Sequence, residues 1–104
     1  MAKIELQDFV KYGKLFEVYK NLLSTDRQNT MRDYFEFNMT LAEIAKDKGV
    51  SRQAVLDTIE KSCQKLDEFE NALHYVEMIS LFEEYKGRAP RELTEKVDKI
   101  SRKI

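Results

Sequence analysis

Three observations predict an all-α chain. Three glycines and one proline in 104 residues leave few residues for the turns a sheet requires. Apolar side chains recur at steps of three and four along most of the length, the period of a helix with one buried face. Two of these runs begin with a Ser/Thr-x-x-Glu/Gln capping box. The length predicts a single domain, residues 1–104, able to bury one modest core without disulfide or metal support.

The elements follow in order. Phe9, Tyr12, Phe16, Tyr19 and Leu23, with Leu15 and Leu22 beside them, form one stripe of a first helix. Core packing is the simplest use of such a stripe, and a groove for a partner is the other. Ser24-Thr25-Asp26 ends that helix near Leu23, and Thr25 with Gln28 forms a capping box for the second. The second helix turns Met31, Tyr34, Phe35 and Phe37 inward and stops near Asn38, a residue that tolerates left-handed backbone.

Thr40-Leu41-Ala42-Glu43 is the second capping box, so a third helix runs from Leu41 to about Lys48 before Gly49 turns the chain. Ser51 caps the fourth helix. Two helices meeting closely across a short turn need a small residue at the crossing and a glycine where φ is positive, and Ala45 and Gly49 stand at those places. Ile44, Val50, Val55 and Ile59 supply the apolar contacts. A helix-turn-helix is therefore predicted over about residues 40–66.

From Ser51 to Lys86 neither Gly nor Pro intervenes, and Val55, Ile59, Cys63, Leu66, Phe69, Leu73, Val76, Ile79 and Phe82 keep the helical period. One helix of that length would measure roughly 54 Å, whereas a globule of this chain length is about 33 Å across. Either the helix breaks, with Asp67-Glu68-Phe69-Glu70 as the acidic first turn of a new one, or it protrudes and offers an apolar stripe to a partner or to a second copy in a homodimer. Gly87-Arg88-Ala89-Pro90 punctuates the chain, with Gly87 suited to a left-handed stop and Pro90 to a first turn. Leu93, Val97 and Ile100 then mark a short last helix.

Charge is unevenly spread although the sum is −1. Residues 1–85 hold eleven Lys and Arg against sixteen Asp and Glu, and residues 86–104 hold seven against three. Between Thr40 and Lys65 five bases face four acids, a poor electrostatic footprint for a DNA reader. Behind the cap at Ser51, the side chains that would enter a groove are Arg52, Gln53, Leu56, Asp57 and Glu60. Arg52 suits guanine and Gln53 adenine. Asp57 and Glu60 oppose phosphate. Leu56, an apolar residue among polar ones on the outward side, is expected to be the exposed centre of a partner contact. The tail bases Lys86, Arg88, Arg91, Lys96, Lys99, Arg102 and Lys103 form either the solvated face of the last helix or a contact with RNA backbone or an acidic partner. Any nucleic-acid binding is expected to be weak and non-specific.

Several function classes are excluded as expectations. The apolar runs are too short to span a bilayer, and the start MAKIELQDF carries acids where a signal peptide needs an apolar stretch, which predicts a cytoplasmic protein. The single cysteine, Cys63, cannot close an internal disulfide, and with the single histidine, His74, it cannot make a Cys/His zinc site. Cys63 falls on the buried stripe as a small hydrophobe, and His74 reads as structural. There is no phosphate loop, and the acid pairs Asp67-Glu68 and Glu83-Glu84 diverge on a helix. Neither catalysis nor a cofactor is predicted.

The stretches LLSTDRQ (Leu22 to Gln28), TLAEIA (Thr40 to Ala45) and GVSRQAV (Gly49 to Val55) together resemble the YlxM-type proteins of bacteria and, more distantly, the last helical region of sigma factors. The likeness covers roughly residues 9–80. It implies a sigma region 4-like helix-turn-helix bundle with extra C-terminal helices. Genes of that family tend to neighbour those of the signal recognition particle GTPases, so the resemblance implies a regulatory or accessory role in that pathway, with a protein or RNA component as partner. The alternative for the same scaffold is a DNA-binding transcriptional regulator.

Overall fold

The computed structural model describes residues 6–102, which are mostly helical with no strand among them. Helix α1 (Leu6–Tyr19) runs into a 3-10 turn (Lys20–Leu22), followed by α2 (Thr25–Phe35), α3 (Leu41–Lys48), α4 (Arg52–Leu73) and α5 (Tyr75–Tyr85). A second 3-10 turn (Lys86–Arg88) leads to α6 (Arg91–Ser101). The all-α class is borne out.

Helix α4 is the axis, and α1, α2 and α3 pack around it. The predicted stripes supply the core: Leu15, Phe16, Tyr19 and Leu23 meet Met31, Ile44 and Ala45 across Val55, Ile59, Cys63 and Leu66. Burial of each large side chain stabilises by about 1.5–3 kcal/mol, so this shared core, rather than helix propensity, holds the short helices together. Phe9 closes one end against Tyr34 and Phe35, with ring centroids 5.8 and 4.9 Å away. Among the described residues, the two buried polar side chains are satisfied. Ser62 Oγ donates to the Thr58 carbonyl at 2.7 Å, and Thr30 Oγ1 accepts from the Lys48 ammonium.

Local details differ from the sequence expectations. Ser24, not Thr25, caps α2, with its hydroxyl accepting from Arg27 N, while the Gln28 amide donates to the Leu23 carbonyl. Helix α2 ends at Phe35, which leaves Phe37 exposed, and Asn38 takes its left-handed conformation (φ 53°) in the link to α3. Leu22, Val50 and Leu73 are also exposed rather than core. Gly87 lies in the second 3-10 turn without positive φ, and Pro90 is the residue before α6.

The long fourth run does break, but at His74, seven residues past Asp67. His74 sits in the left-handed region at φ 51° and ends α4, its N–H bonding the Glu70 carbonyl at 2.7 Å. The acidic cluster is therefore part of α4. Glu70 nonetheless serves the next helix from there: its carboxylate accepts from Val76 N and Glu77 N, both at 3.0 Å, satisfying two amides that a helix start leaves open. The same carboxylate takes the Tyr19 hydroxyl at 2.5 Å, joining α1, α4 and α5 at one point. Burial works against the charged form, but the tyrosine, the two amides and nearby His74 outweigh it and hold Glu70 below the usual carboxylate range.

Beyond this joint the chain forms an arm. Tyr75 and Val76 pack against the core, and Lys14 Nζ donates to Ser80 Oγ at 3.1 Å, yet α5 and α6 bury no side chain fully. Helix α6 is tied back by Tyr75 Oη to Ser101 Oγ at 3.1 Å and by Lys86 to Asp98 at 3.0 Å. The molecule is 51 Å long and 24 by 23 Å across. Its radius of gyration of 16.0 Å exceeds the roughly 13 Å of a compact chain this size.

Candidate nucleic-acid and partner interface

The helix-turn-helix is built by local chemistry. Thr40 Oγ1 accepts from Glu43 N at 3.1 Å and the Glu43 carboxylate accepts from Thr40 N at 3.0 Å, so both halves of the capping box form. That pairing, led by the Thr40 amide, lowers the Glu43 pKa. Gly49 ends α3 at φ 67°, which lets Val50 N reach the Ala45 carbonyl at 3.0 Å. Ala45 is buried at the crossing as expected, with Ile44, Val55 and Ile59 around it. Ser51 Oγ then accepts from Ala54 N at 3.0 Å and starts α4.

On the first turns of α4, Ser51, Arg52, Gln53, Asp57 and Glu60 are all exposed and together make up the candidate surface. Leu56 is not part of it. With only 3% of its surface accessible, Leu56 is buried beneath this turn, outside the central cluster. The expectation of an exposed leucine contact is thus overturned: the side chain is covered and offers no contact surface. Gln53 Nε2 donates to Asp57 Oδ1 at 3.0 Å, so the residue best suited to read adenine is held by its neighbour one turn on.

Positive charge around this surface is partly consumed. Lys48 bridges to Asp26 at 2.8 Å as well as to Thr30, tying α3 to α2, and Lys65 faces Glu68 at 3.7 Å. Lys46, Arg52 and Lys61 stay exposed. The sequence reading missed Lys48 as a strut; the signal for it, a lysine in the last turn of α3, also fits a simple dipole partner. Beside Lys48 a cleft of about 110 Å³, lined by Asp26, Thr30, Val50, Ala54, Val55 and Thr58, is too small for an ordinary small-molecule site.

The tail bases are also largely engaged. Arg91 pairs with Glu95 at 2.9 Å, Lys96 with Glu92 at 3.0 Å, and Arg88 stacks over the Tyr85 ring at 5.3 Å. Lys99 and Arg102 are exposed, and Lys103 lies outside the described residues. Exposed pairs of this kind hold only weakly, so the bases remain open to an anionic partner. Ser101 meets Tyr75, which follows the end of α4, whereas Arg52 begins that helix. The two candidate surfaces are separate.

Other groups fit structural roles. Cys63 is buried, and that burial, with Asp67, pushes its thiol up to about 12. Burial and the hydrogen bond to Glu70 likewise raise Tyr19 to about 12, and burial with Asp67 at 2.7 Å raises Tyr12. Among the described residues no three His, Cys, Asp or Glu side chains are placed to hold a metal ion, and no helix is long and apolar enough to cross a membrane.

Comparison with known proteins agrees with this architecture. The family model of UPF0122, helix-turn-helix protein, YlxM / p13 like, matches residues 6–103. A UPF0122 protein of Fusobacterium nucleatum is 38% identical over 73 residues, covering 70% of this chain and 71% of that protein. A UPF0122 protein of Streptococcus pneumoniae is 33% identical over 93 residues, covering 86% and 84%. No solved structure matches the chain. The match across nearly the whole length, on a chain whose capped helices meet at Ala45 and turn at Gly49, makes this protein a member of the UPF0122, YlxM / p13-like helix-turn-helix family.

Proposed function

We propose that this protein is a non-enzymatic, cytoplasmic accessory factor of the signal recognition particle pathway, and that it docks on a protein or RNA component of that particle through Ser51, Arg52, Gln53, Asp57 and Glu60. The carrying observation is the chemistry of that surface: one base, Arg52, stands with two acids, Asp57 and Glu60, all exposed, and Gln53 is bound to Asp57. Mixed charge of this kind suits a partner that offers both donors and acceptors, as a protein surface or the splayed base edges of a folded RNA do, whereas duplex DNA presents a wall of phosphates. The tail supplies a second, sequence-independent contact through Arg88, Arg91, Lys96, Lys99, Arg102 and Lys103. Because it stands away from Arg52, a partner touching both would be extended, as an RNA is. The placement in this pathway rests on the family resemblance.

Capture from cell extract, with and without nuclease, tests this. Recovery of signal recognition particle protein or RNA, reduced at least about tenfold by Arg52→Ala with Asp57→Lys, is expected. Recovery unchanged by that pair of substitutions would remove the surface from the account. A DNA-binding regulator is the second reading, favoured by the intact cap at Ser51 and the exposure of Arg52 on the first turn of α4. A shared DNA motif in a genomic selection, lost on Arg52→Ala, would establish it instead.

A further inference from the structure

Helix α5 has a covered apolar side and an open one, and the single apolar stripe of α6 is only partly covered. On α5, Tyr75, Ile79 and Phe82 are half-buried, while Met78, Leu81 and Tyr85, spaced three and four apart, are each about half exposed. On α6, Val97 is half-buried with Thr94 and Ser101, while Leu93 and Ile100, seven apart, face solvent. These five side chains leave on the order of 500 Å² of apolar surface open, at the upper end of what one monomer keeps in a patch. No side chain of the arm is fully buried, so a partner that covers the open stripes would add to what the joint at Glu70 provides.

Charge identifies the occupant. Helix α5 contains Glu77, Glu83 and Glu84 and no base. At 3.6 residues per turn, Glu77 and Glu84 border its exposed stripe beside Leu81. On α6, Lys96 borders the stripe of Leu93 and Ile100 in the same way with Lys99 beyond it, and although Lys96 pairs with Glu92 at 3.0 Å, that edge holds two bases to one acid. An acidic-edged apolar stripe and a basic-edged one on the same arm are complementary to each other. We propose that two copies of this chain pair through their arms about a two-fold axis, α5 of one against α6 of the other. Two-fold symmetry makes each contact occur twice, and the apolar stripes supply much of the roughly 800 Å² per partner of a standard interface. This pairing is independent of the α4 surface, but it takes Lys96 and Lys99 from the tail contact proposed above.

Sedimentation of the full chain over a concentration series tests it. The wild type is expected at twice its mass of 12.3 kDa, and Leu81→Glu with Ile100→Glu should weaken self-association about a hundredfold while the circular dichroism stays helical. Charge reversal tests the register apart from folding. Glu77→Lys with Glu84→Lys, and separately Lys96→Glu with Lys99→Glu, should each weaken the dimer, and an equimolar mixture of the two variants should restore it. A wild type that stays a monomer at about 100 μM, far above the range of specific dimers, would overturn the proposal. So would a mixture that associates no better than its parts.

Discussion

Replacing Glu70 by alanine should release the arm while leaving the helix-turn-helix folded. The carboxylate accepts three hydrogen bonds, from Tyr19 Oη at 2.5 Å and from Val76 N and Glu77 N at 3.0 Å each. A bond to an ionised acceptor contributes about 1.5–3 kcal/mol, but exposed amides recover much of that from water. Glu77 is exposed, whereas Tyr19 is only 2% accessible, so its hydroxyl loses a partner that solvent replaces poorly. The net loss is then about 2–3 kcal/mol, or about 8–12 °C in melting temperature at this chain length. Tyr19→Phe removes one of the three bonds and should cost about 1 kcal/mol. Amide hydrogen exchange is the direct assay: protection should fall across Tyr75–Tyr85 in Glu70→Ala, with amides of Val55 to Leu66 far less affected. Unchanged protection at Val76 and Glu77, with a melting temperature within about 1 °C of wild type, would refute the three-way joint. Acid provides the same perturbation without mutation. Because the folded-state pKa of Glu70 is lowered, its contribution is complete above the ordinary glutamate value of about 4.3 and is lost as pH falls through the lowered one. The arm should therefore loosen on acidification below about pH 4.

Leu56→Ala should cost about 2–5 kcal/mol in chemical denaturation, since the side chain is buried; a variant as stable as wild type would return Leu56 to the surface. Gly49→Ala meets no atom within 4 Å of its new Cβ, so its cost is the left-handed backbone alone, about 1–2 kcal/mol by thermal melting. His74→Gly relieves the same strain at φ 51° and should raise the melting temperature by about 4 °C, whereas a fall would mean that His74 Nδ1 to Glu77, at 3.1 Å, matters more than the backbone. Cys63, with its thiol pushed up to about 12, should resist alkylation at pH 8 until the protein is unfolded; rapid labelling of the native protein would contradict its burial.

The features that were legible in the sequence are those set within one turn of the chain. Thr40 with Glu43, Gly49 and Ser51 act on backbone groups three or four residues away, so their spacing alone predicts the caps that form. Features that depend on distant partners were not legible. Glu70 was visible as part of an acidic cluster, but its use as a cap reaching across His74 to the next helix requires the chain to bend first. His74 as the bend carries no Gly or Pro signal, only the modest tolerance of histidine for left-handed backbone. Leu56 illustrates the same limit at the site. Periodicity placed it among Arg52, Gln53 and Asp57 on the outward side, yet the folded chain covers it. What remains of the predicted surface, Ser51, Arg52, Gln53, Asp57 and Glu60, is polar throughout, which makes electrostatic rather than apolar contact its basis.

Selection from a genomic DNA library, run beside equilibrium binding to signal recognition particle RNA and to its protein components, tests the central claim most directly. No shared DNA motif is expected, and residual DNA affinity should fall with salt at a log–log slope of about −3 or shallower, removed by deleting residues 86–104 and indifferent to Gln53→Ala. A particle component should bind, and Arg52→Ala with Asp57→Lys should weaken it at least about tenfold. Recovery of a short common DNA sequence, lost on Arg52→Ala or Gln53→Ala, with no binding to any component of the particle, would contradict the account and make α4 a reader of DNA.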